Sequence, residues 1–211
     1  MFAVMAVLLF GGAGTVDWWQ AWLFLAVYFG ASLGISLYLV RKDPALLARR
    51  MRGGPWAEKR PAQQLIMLIA CIGFVGLIVV PALDERWSWS HMAAAIVILG
   101  NVLMALGWLG TYFVFRENSF TAATIERAPD QRVISTGPYA LVRHPMYSSM
   151  LVMLLGMPIA LGSWWSLLAF PVIGLALIAR IFDEESFLER ELPGYVEYKQ
   201  KVRYRLIPHL W

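Results

Sequence analysis

Eleven residues, Gly137-Pro138-Tyr139-Ala140-Leu141-Val142-Arg143-His144-Pro145-Met146-Tyr147, gather an Arg, a His and two Tyr directly before a long apolar run. Gly137-Pro138 sets a turn, and Pro145 suits the first turn of a helix, where its missing N–H has no partner to lose. Arg143, His144 and Tyr147 are then held at a helix entrance. Such an entrance offers unpaired N–H groups and a positive dipole end, so a ligand carboxylate can dock there. The competing reading of the same residues is a basic juxtamembrane turn with an interfacial Tyr.

A second cluster follows the last apolar segment: Arg180, Asp183, Glu184, Glu185 and Leu188, then Gly194-Tyr195-Val196-Glu197-Tyr198-Lys199, then a basic run ending at Pro208. Arg180 and Glu184 stand four apart, so on a continuing helix they share one face. As a helix-stabilising ion pair, Arg before Glu is the less favourable order, and Glu185 adds negative charge that such a pair does not need. That points to a ligand role, against the alternative of a solvated acidic helix end.

Arg-His-Pro-x-Tyr, then Glu-Glu-x-x-Leu, then Gly-Tyr-x-x-Tyr-Lys with a basic tail resembles the isoprenylcysteine carboxyl methyltransferase family and its relatives among the phospholipid methyltransferases. The resemblance covers roughly residues 117 to 208 and rests on three motifs in order. It implies S-adenosylmethionine as cofactor, held by Gln131, Arg132, Val133, Ile134, Tyr139, His144, Pro145, Met146, Tyr147 and Glu184. It also implies that Arg180 contacts substrate, which makes Arg180 and Glu184 the catalytic candidates. Glu126 stands about where the family has a Gln contact, and Asn118-Ser119-Phe120 is similar to a family Ser-Asn-Phe region with the order changed. Ser148 replaces the usual Gly after Tyr147, and Pro193-Gly194 replaces a Gly with acidic residues before Tyr195.

Positioning these residues falls to a chain that is 59% hydrophobic and 15% charged, an apolar share above that of soluble domains. The fold class expected is all-α, a polytopic integral membrane protein of about six spans, or five if the short first one does not cross. The spans fall at residues 1–14, 18–40, 65–80 (ended by Pro81), 92–115, 146–161 and 164–179, with a short loop at 84–89. Residues 1–14 have no positive n-region or cleavage site, which argues against a removed signal peptide. Gly30 and Gly34 form a small-xxx-small pair that lets a neighbouring helix approach. Residues 1–115 form the N-terminal helices with a basic loop, and residues 116–211 the catalytic region.

Arg41, Lys42, Arg49, Arg50, Arg52, Lys59 and Arg60 mark the first long loop as cytoplasmic. Six spans put 17 of the 18 Lys and Arg inside, with only Arg86 outside. Trp18, Trp19, Trp22, Trp87, Trp89, Trp164 and Trp165 then fall at the outer interface, the depth an indole favours. The location expected is a bacterial inner (cytoplasmic) membrane, with the catalytic face in the cytoplasm. The net charge of +4, gathered beside the spans, points to anionic lipid headgroups rather than nucleic acid. One Cys, Cys71, excludes an intramolecular disulfide, and His91, His144 and His209 are too scattered for a metal site. Oligomeric state stays open.

S-adenosylmethionine carries an ammonium, a carboxylate, a ribose and an adenine, and the clusters offer complements. Glu184 suits the ammonium, His144 and the backbone around Pro145 the carboxylate, and Tyr139 and Tyr147 hydroxyl contacts or packing. No Gly-rich loop after a strand, the soluble methyltransferase device, is visible. Methyl transfer to an already ionised group needs no general base, and Arg180 matches a carboxylate bidentately, so the acceptor expected is a lipophilic small molecule or lipidated group, anionic (a carboxylate first) or a thiolate, entering from the bilayer. Two readings compete. Membrane sterol reductases, which use NADPH, share an Arg-His-Pro-x-Tyr turn, but Met146 and Ser148-Ser149 fit their pattern poorly. A non-catalytic anionic-lipid-binding scaffold leaves the motif spacing unexplained.

Overall fold

Long apolar runs satisfy their own backbone polar groups only as helices, and the chain is helical throughout its ordered elements, with no strand among the described residues. The computed structural model describes residues 1–58, 60–121, 123–125 and 130–211. Its α-helices are α1 (Phe2–Ala6, continued by a π-helical turn at Val7–Gly11), α2 (Trp19–Lys42), α3 (Pro44–Met51) and α4 (Pro61–Trp87). They are followed by α5 (Ala94–Glu117), α6 (Pro145–Ala160), α7 (Ala169–Glu191) and α8 (Tyr195–Lys201).

Four of these carry segments long and apolar enough to cross a membrane: α2, α4, α5 and the stretch Trp165–Glu191 that contains α7. Their faces away from the core keep large apolar side chains exposed, among them Leu33, Leu37, Ile72 and Leu175, a surface that lipid rather than water covers. The protein is an integral membrane protein. Two expected spans are shorter: Phe2–Gly11, and Pro145–Ala160, whose 16 residues extend about 24 Å at 1.5 Å each, less than the roughly 30 Å of a hydrocarbon core.

Three expectations are corrected. Pro81 does not end its helix; α4 runs through it to Trp87, absorbing most of the expected loop. Pro81 removes one helix hydrogen bond, a cost of about 3 kcal/mol. Tertiary contacts hold the turns beyond it: Pro81 and Ala82 are buried, and Asp84 accepts from Ser90 N (2.7 Å), Ser90 Oγ (2.5 Å) and Ser163 Oγ (2.5 Å). Among the described residues, no atom lies within 4 Å of where a Cβ on Gly30 or Gly34 would stand, so no described helix of this chain approaches there. The close approach is α5 on α6 instead: a Cβ on Gly107 would lie 2.5 Å from Met153 N, and one on Gly156 2.6 Å from the Gly100 carbonyl oxygen. Trp18 is 1% exposed and packs in the core, because the chain turns inward there before α2, whereas Trp19, Trp22, Trp87, Trp89, Trp164 and Trp165 are exposed at one end of the bundle.

The opposite end carries the polar elements. Asp43 caps α3 by accepting from Leu46 N at 2.9 Å, and Pro44 supplies its first turn. Arg60 and Gln63 donate to Asp183 at 2.6 Å each, tying the start of α4 to the end of α7. One core cluster runs from Met5 to Leu206, with residues from every long helix.

Candidate active site

Adjacent acids on α7 point in different directions. Glu185 is buried and gathers three partners: Arg143 Nε at 2.7 Å, His144 Nε2 at 3.2 Å and Arg205 Nε at 3.0 Å. Glu184 instead accepts the Tyr147 hydroxyl at 2.6 Å. The sequence reading of Glu185 as surplus charge is therefore corrected, since it neutralises a cluster of cations that burial would otherwise penalise.

That cluster joins the His-Pro turn to the C-terminal tail. Arg143 N donates to the Tyr204 carbonyl and His144 N to the Arg205 carbonyl, both at 2.9 Å. Arg143 Nη1 donates to the carbonyls of Val202 (2.9 Å) and Arg203 (2.7 Å), and Ser148 Oγ to that of Leu206 (2.6 Å). Ser148, the departure from the family Gly, thus anchors the tail.

Pro145 occupies the first turn of α6, and His144 at its N-cap makes no side-chain cap bond. Ser148 N reaches back to the His144 carbonyl, whereas Met146 N and Tyr147 N have no backbone partner among the described residues, and both residues border the cleft. His144 Nε2 is turned to Glu185, so the amides of Met146 and Tyr147 are the other donors the helix entrance carries for an anion.

Arg180 is 5% exposed and held on all sides. Nε donates to Tyr147 Oη (3.0 Å), Nη1 to Gln63 Oε1 (2.9 Å) and Nη2 to the Ala123 carbonyl (2.9 Å), and Nη1 lies 2.7 Å from Glu58 Oε1. Arg180 thus has an anion beside it already within the chain, Glu58, itself buried, from the basic loop. Glu58 and Gln63 are partners that sequence reasoning missed. The one signal was an acid standing among seven cations.

A cleft at this end is lined by Gln131, Arg132, Val133, Ile134, Tyr139, His144, Pro145, Met146, Tyr147, Arg180 and Glu184, together with Phe187, Leu188, Tyr195 and Tyr198. All eleven residues singled out from the sequence border it. Glu126 lies outside the described residues. Residues 131–134 run without helix or strand, and among the described residues Arg132–Ile134 make no backbone–backbone hydrogen bond, so their amides and carbonyls remain available. The Tyr195 hydroxyl, on a side chain 4% exposed, has no partner among the described residues. Burial, with the neighbouring carboxylates of Glu185 and Glu184, pushes its phenol well above the usual range, so it remains a donor at neutral pH. Tyr198, also raised chiefly by burial, donates to the Tyr139 carbonyl at 2.8 Å and closes one wall.

On the other side of Met146, Tyr147 and Arg180 lies a larger, mostly apolar cavity of about 500 Å³, walled by residues such as Met67, Cys71, Phe74, Trp108, Met150 and Leu177. These three residues border both spaces. Among the described residues no group of His, Cys, Asp and Glu is arranged to hold a metal ion.

The structure is that of a helical membrane protein with a polar cleft beside an apolar cavity, the two sharing Met146, Tyr147 and Arg180, and the comparisons say which kind of protein this is. The family model for phospholipid methyltransferases matches residues 95–193. A protein-S-isoprenylcysteine O-methyltransferase B of Arabidopsis thaliana is 32% identical over 142 residues, 65% of this chain and 70% of that protein. A probable protein-S-isoprenylcysteine O-methyltransferase of Oryza sativa subsp. indica is 33% identical over 125 residues, 58% of this chain and 63% of that protein. The cobalt-zinc-cadmium resistance protein CzcN of Cupriavidus metallidurans is 29% identical over 120 residues, 56% of this chain and 52% of that protein. The chain belongs to the isoprenylcysteine carboxyl methyltransferase family and is a methyltransferase. The reductase and scaffold readings are set aside on that ground.

Proposed function

We propose that this protein transfers the methyl group of S-adenosylmethionine to the carboxylate of a lipophilic, isoprenylcysteine-like acceptor that enters from the bilayer, with the site on the cytoplasmic side. The observation that carries this reading is the pair of spaces, one polar and one apolar, sharing Met146, Tyr147 and Arg180. Lys and Arg gathered at the site end support the orientation.

The residues present fit the cofactor. Glu184 suits its ammonium, the Met146 and Tyr147 amides at the start of α6 its carboxylate, the backbone of Arg132–Ile134 its base or ribose, and the Tyr195 hydroxyl any acceptor atom within reach. When bound, S-adenosylmethionine would supply an electrophilic methyl carbon for the acceptor's carboxylate oxygen, the products being an ester and a thioether. The chain's own part is to exclude water and to align the acceptor along its apolar cavity. Tyr147, donating to Glu184 and accepting from Arg180, holds the wall between the two spaces.

Calorimetry with S-adenosylhomocysteine tests the cofactor half: Glu184→Gln should weaken binding by about 1.5–3 kcal/mol, the range for a hydrogen bond to a charged group. Unchanged affinity would remove Glu184 from the site. Cys71, the only cysteine, walls the apolar cavity and reports on the acceptor half. An S-farnesyl cysteine acceptor at ten times its dissociation constant should slow alkylation of Cys71 by N-ethylmaleimide about tenfold, by mass action. Alkylation at the same rate with and without acceptor would place the acceptor elsewhere.

A further inference from the structure

The outward face of α7 records where lipid gives way to water. Its exposed positions recur every three or four residues, at Leu168 in the turn before it and then at Val172, Leu175, Ala179 and Phe182, all apolar. The next steps of the same stripe are Ser186, Glu189 and Arg190, exposed and polar, so the boundary falls between Phe182 and Ser186. Length agrees with composition. From Trp165, exposed at the tryptophan-bearing end, to Phe182 is about 25 Å at 1.5 Å per residue, inside a hydrocarbon core of roughly 30 Å.

The C-terminal tail packs at that boundary. The Trp211 ring meets the Phe182 ring edge-on, with centroids 6.1 Å apart. Leu206 N and Ile207 N both donate to the Trp211 carbonyl, at 2.9 and 3.0 Å, which closes residues 206–211 into a loop. Leu206 is buried in the core, but Ile207 and Leu210 are 51% and 75% exposed. Arg205 ties this loop to the cleft: its guanidinium lies against both rings, 5.0 Å from the Phe182 centroid and 5.3 Å from that of Trp211, while Nε donates to Glu185 at 3.0 Å. Glu185 in turn holds Arg143 and His144, which both border the cleft.

We propose that residues 205–211 form a membrane-interface anchor, in which Ile207, Leu210 and Trp211 enter the headgroup–acyl boundary of the bilayer and Arg205 couples that position to the Glu185 cluster. Continuity favours lipid over a protein partner, because the loop sits on Phe182, the last apolar position of a face that lipid already covers. The chemistry agrees. An indole suits this depth, and Lys201 and Arg203, both exposed just before the loop, complement anionic headgroups. An anchored loop keeps Arg205 on Glu185 and the cleft wall in its binding arrangement. That last consequence rests on the methyl-transfer reading above; the anchor itself does not.

A fluorescent label on Leu210→Cys, in a Cys71→Ala background and in phosphatidylcholine–phosphatidylglycerol vesicles, tests the depth. Quenching by acyl-chain spin labels should place it about 5–10 Å into the headgroup–acyl boundary, whereas the same label on Arg190→Cys should be quenched by aqueous iodide. Equal iodide quenching at both positions would put the loop in water, and shielding of position 210 from iodide and lipid alike would mean that protein, such as a second copy, covers it. Either result overturns the proposal. Ile207→Asp combined with Leu210→Asp removes no core contact and should release the loop. In nanodiscs of the same lipids, trypsin should then cut faster at Arg203 and Arg205, and S-adenosylhomocysteine affinity should fall about tenfold, as for a cleft whose competent arrangement is populated about one part in ten. Ile207→Leu with Leu210→Ile should match wild type in both. Faster cutting with unchanged affinity would overturn the coupling to the cleft. A wild type that binds no S-adenosylhomocysteine would instead remove the cofactor reading and leave the label depth to decide the anchor.

Discussion

Glu185→Ala is expected to destabilise the protein by about 3–5 kcal/mol, the cost of stripping the counter-ion from a buried ionic cluster. Arg143 and His144 would keep their burial and lose their carboxylate, and Arg205 would lose its tie to α7. Residues 202–206 would then be tied to the His-Pro turn only by the backbone bonds of Arg143 and His144, by Arg143 Nη1 on the Val202 and Arg203 carbonyls and by Ser148 on Leu206, among the described residues. Two readouts should move together: a lower thermal midpoint in detergent, and faster tryptic cleavage at Lys199, Lys201 and Arg203. An unchanged midpoint with a protected tail would mean that the backbone pairing alone holds this face. Glu184→Gln, one residue away, should leave both readouts near wild type, since Glu184 meets only the Tyr147 hydroxyl among the described residues.

The second large effect concerns the Glu58–Arg180 pair. Glu58→Ala leaves the Arg180 guanidinium buried without its carboxylate, and a loss of about 3–5 kcal/mol follows from the same asymmetry. Removing both charges should restore much of that stability, because an apolar pair of similar volume often replaces a buried ion pair at little cost. Glu58→Leu combined with Arg180→Met should therefore melt closer to wild type than either single variant. Methyl transfer should not recover, since Arg180 also orients Tyr147 at the wall between cleft and cavity. Additive destabilisation in the double variant would show that the two residues act independently; recovered activity would show that Arg180 is needed only for folding.

The turn at residues 137–147 and the four-residue step from Arg180 to Glu184 were legible because they depend on local rules: a Pro at the first helical position, and two side chains one turn apart on one face. Glu58 was not legible. It lies over a hundred residues from Arg180, in a loop whose charge pattern reads as a solvated basic surface, and no local periodicity links the two. Pro81 misled for a related reason, since intrinsic propensity favoured a helix end while Asp84, through Ser90 and Ser163, supplied tertiary bonds that kept the helix going.

By itself the sequence determined an all-α membrane chain, with its basic residues gathered at one end and its motif-bearing segments beside them, because long apolar runs can satisfy their backbones in lipid only as helices. It did not determine the rotation of α7. Neighbouring residues on a helix differ by about 100° in direction, and a helix apolar on nearly every face carries no stripe to say which way it turns. Packing made that choice. It sent Asp183 to Arg60, Glu184 to Tyr147 and Glu185 to Arg143, and so separated, among three consecutive acids, the two that hold the fold from the one left at the cleft.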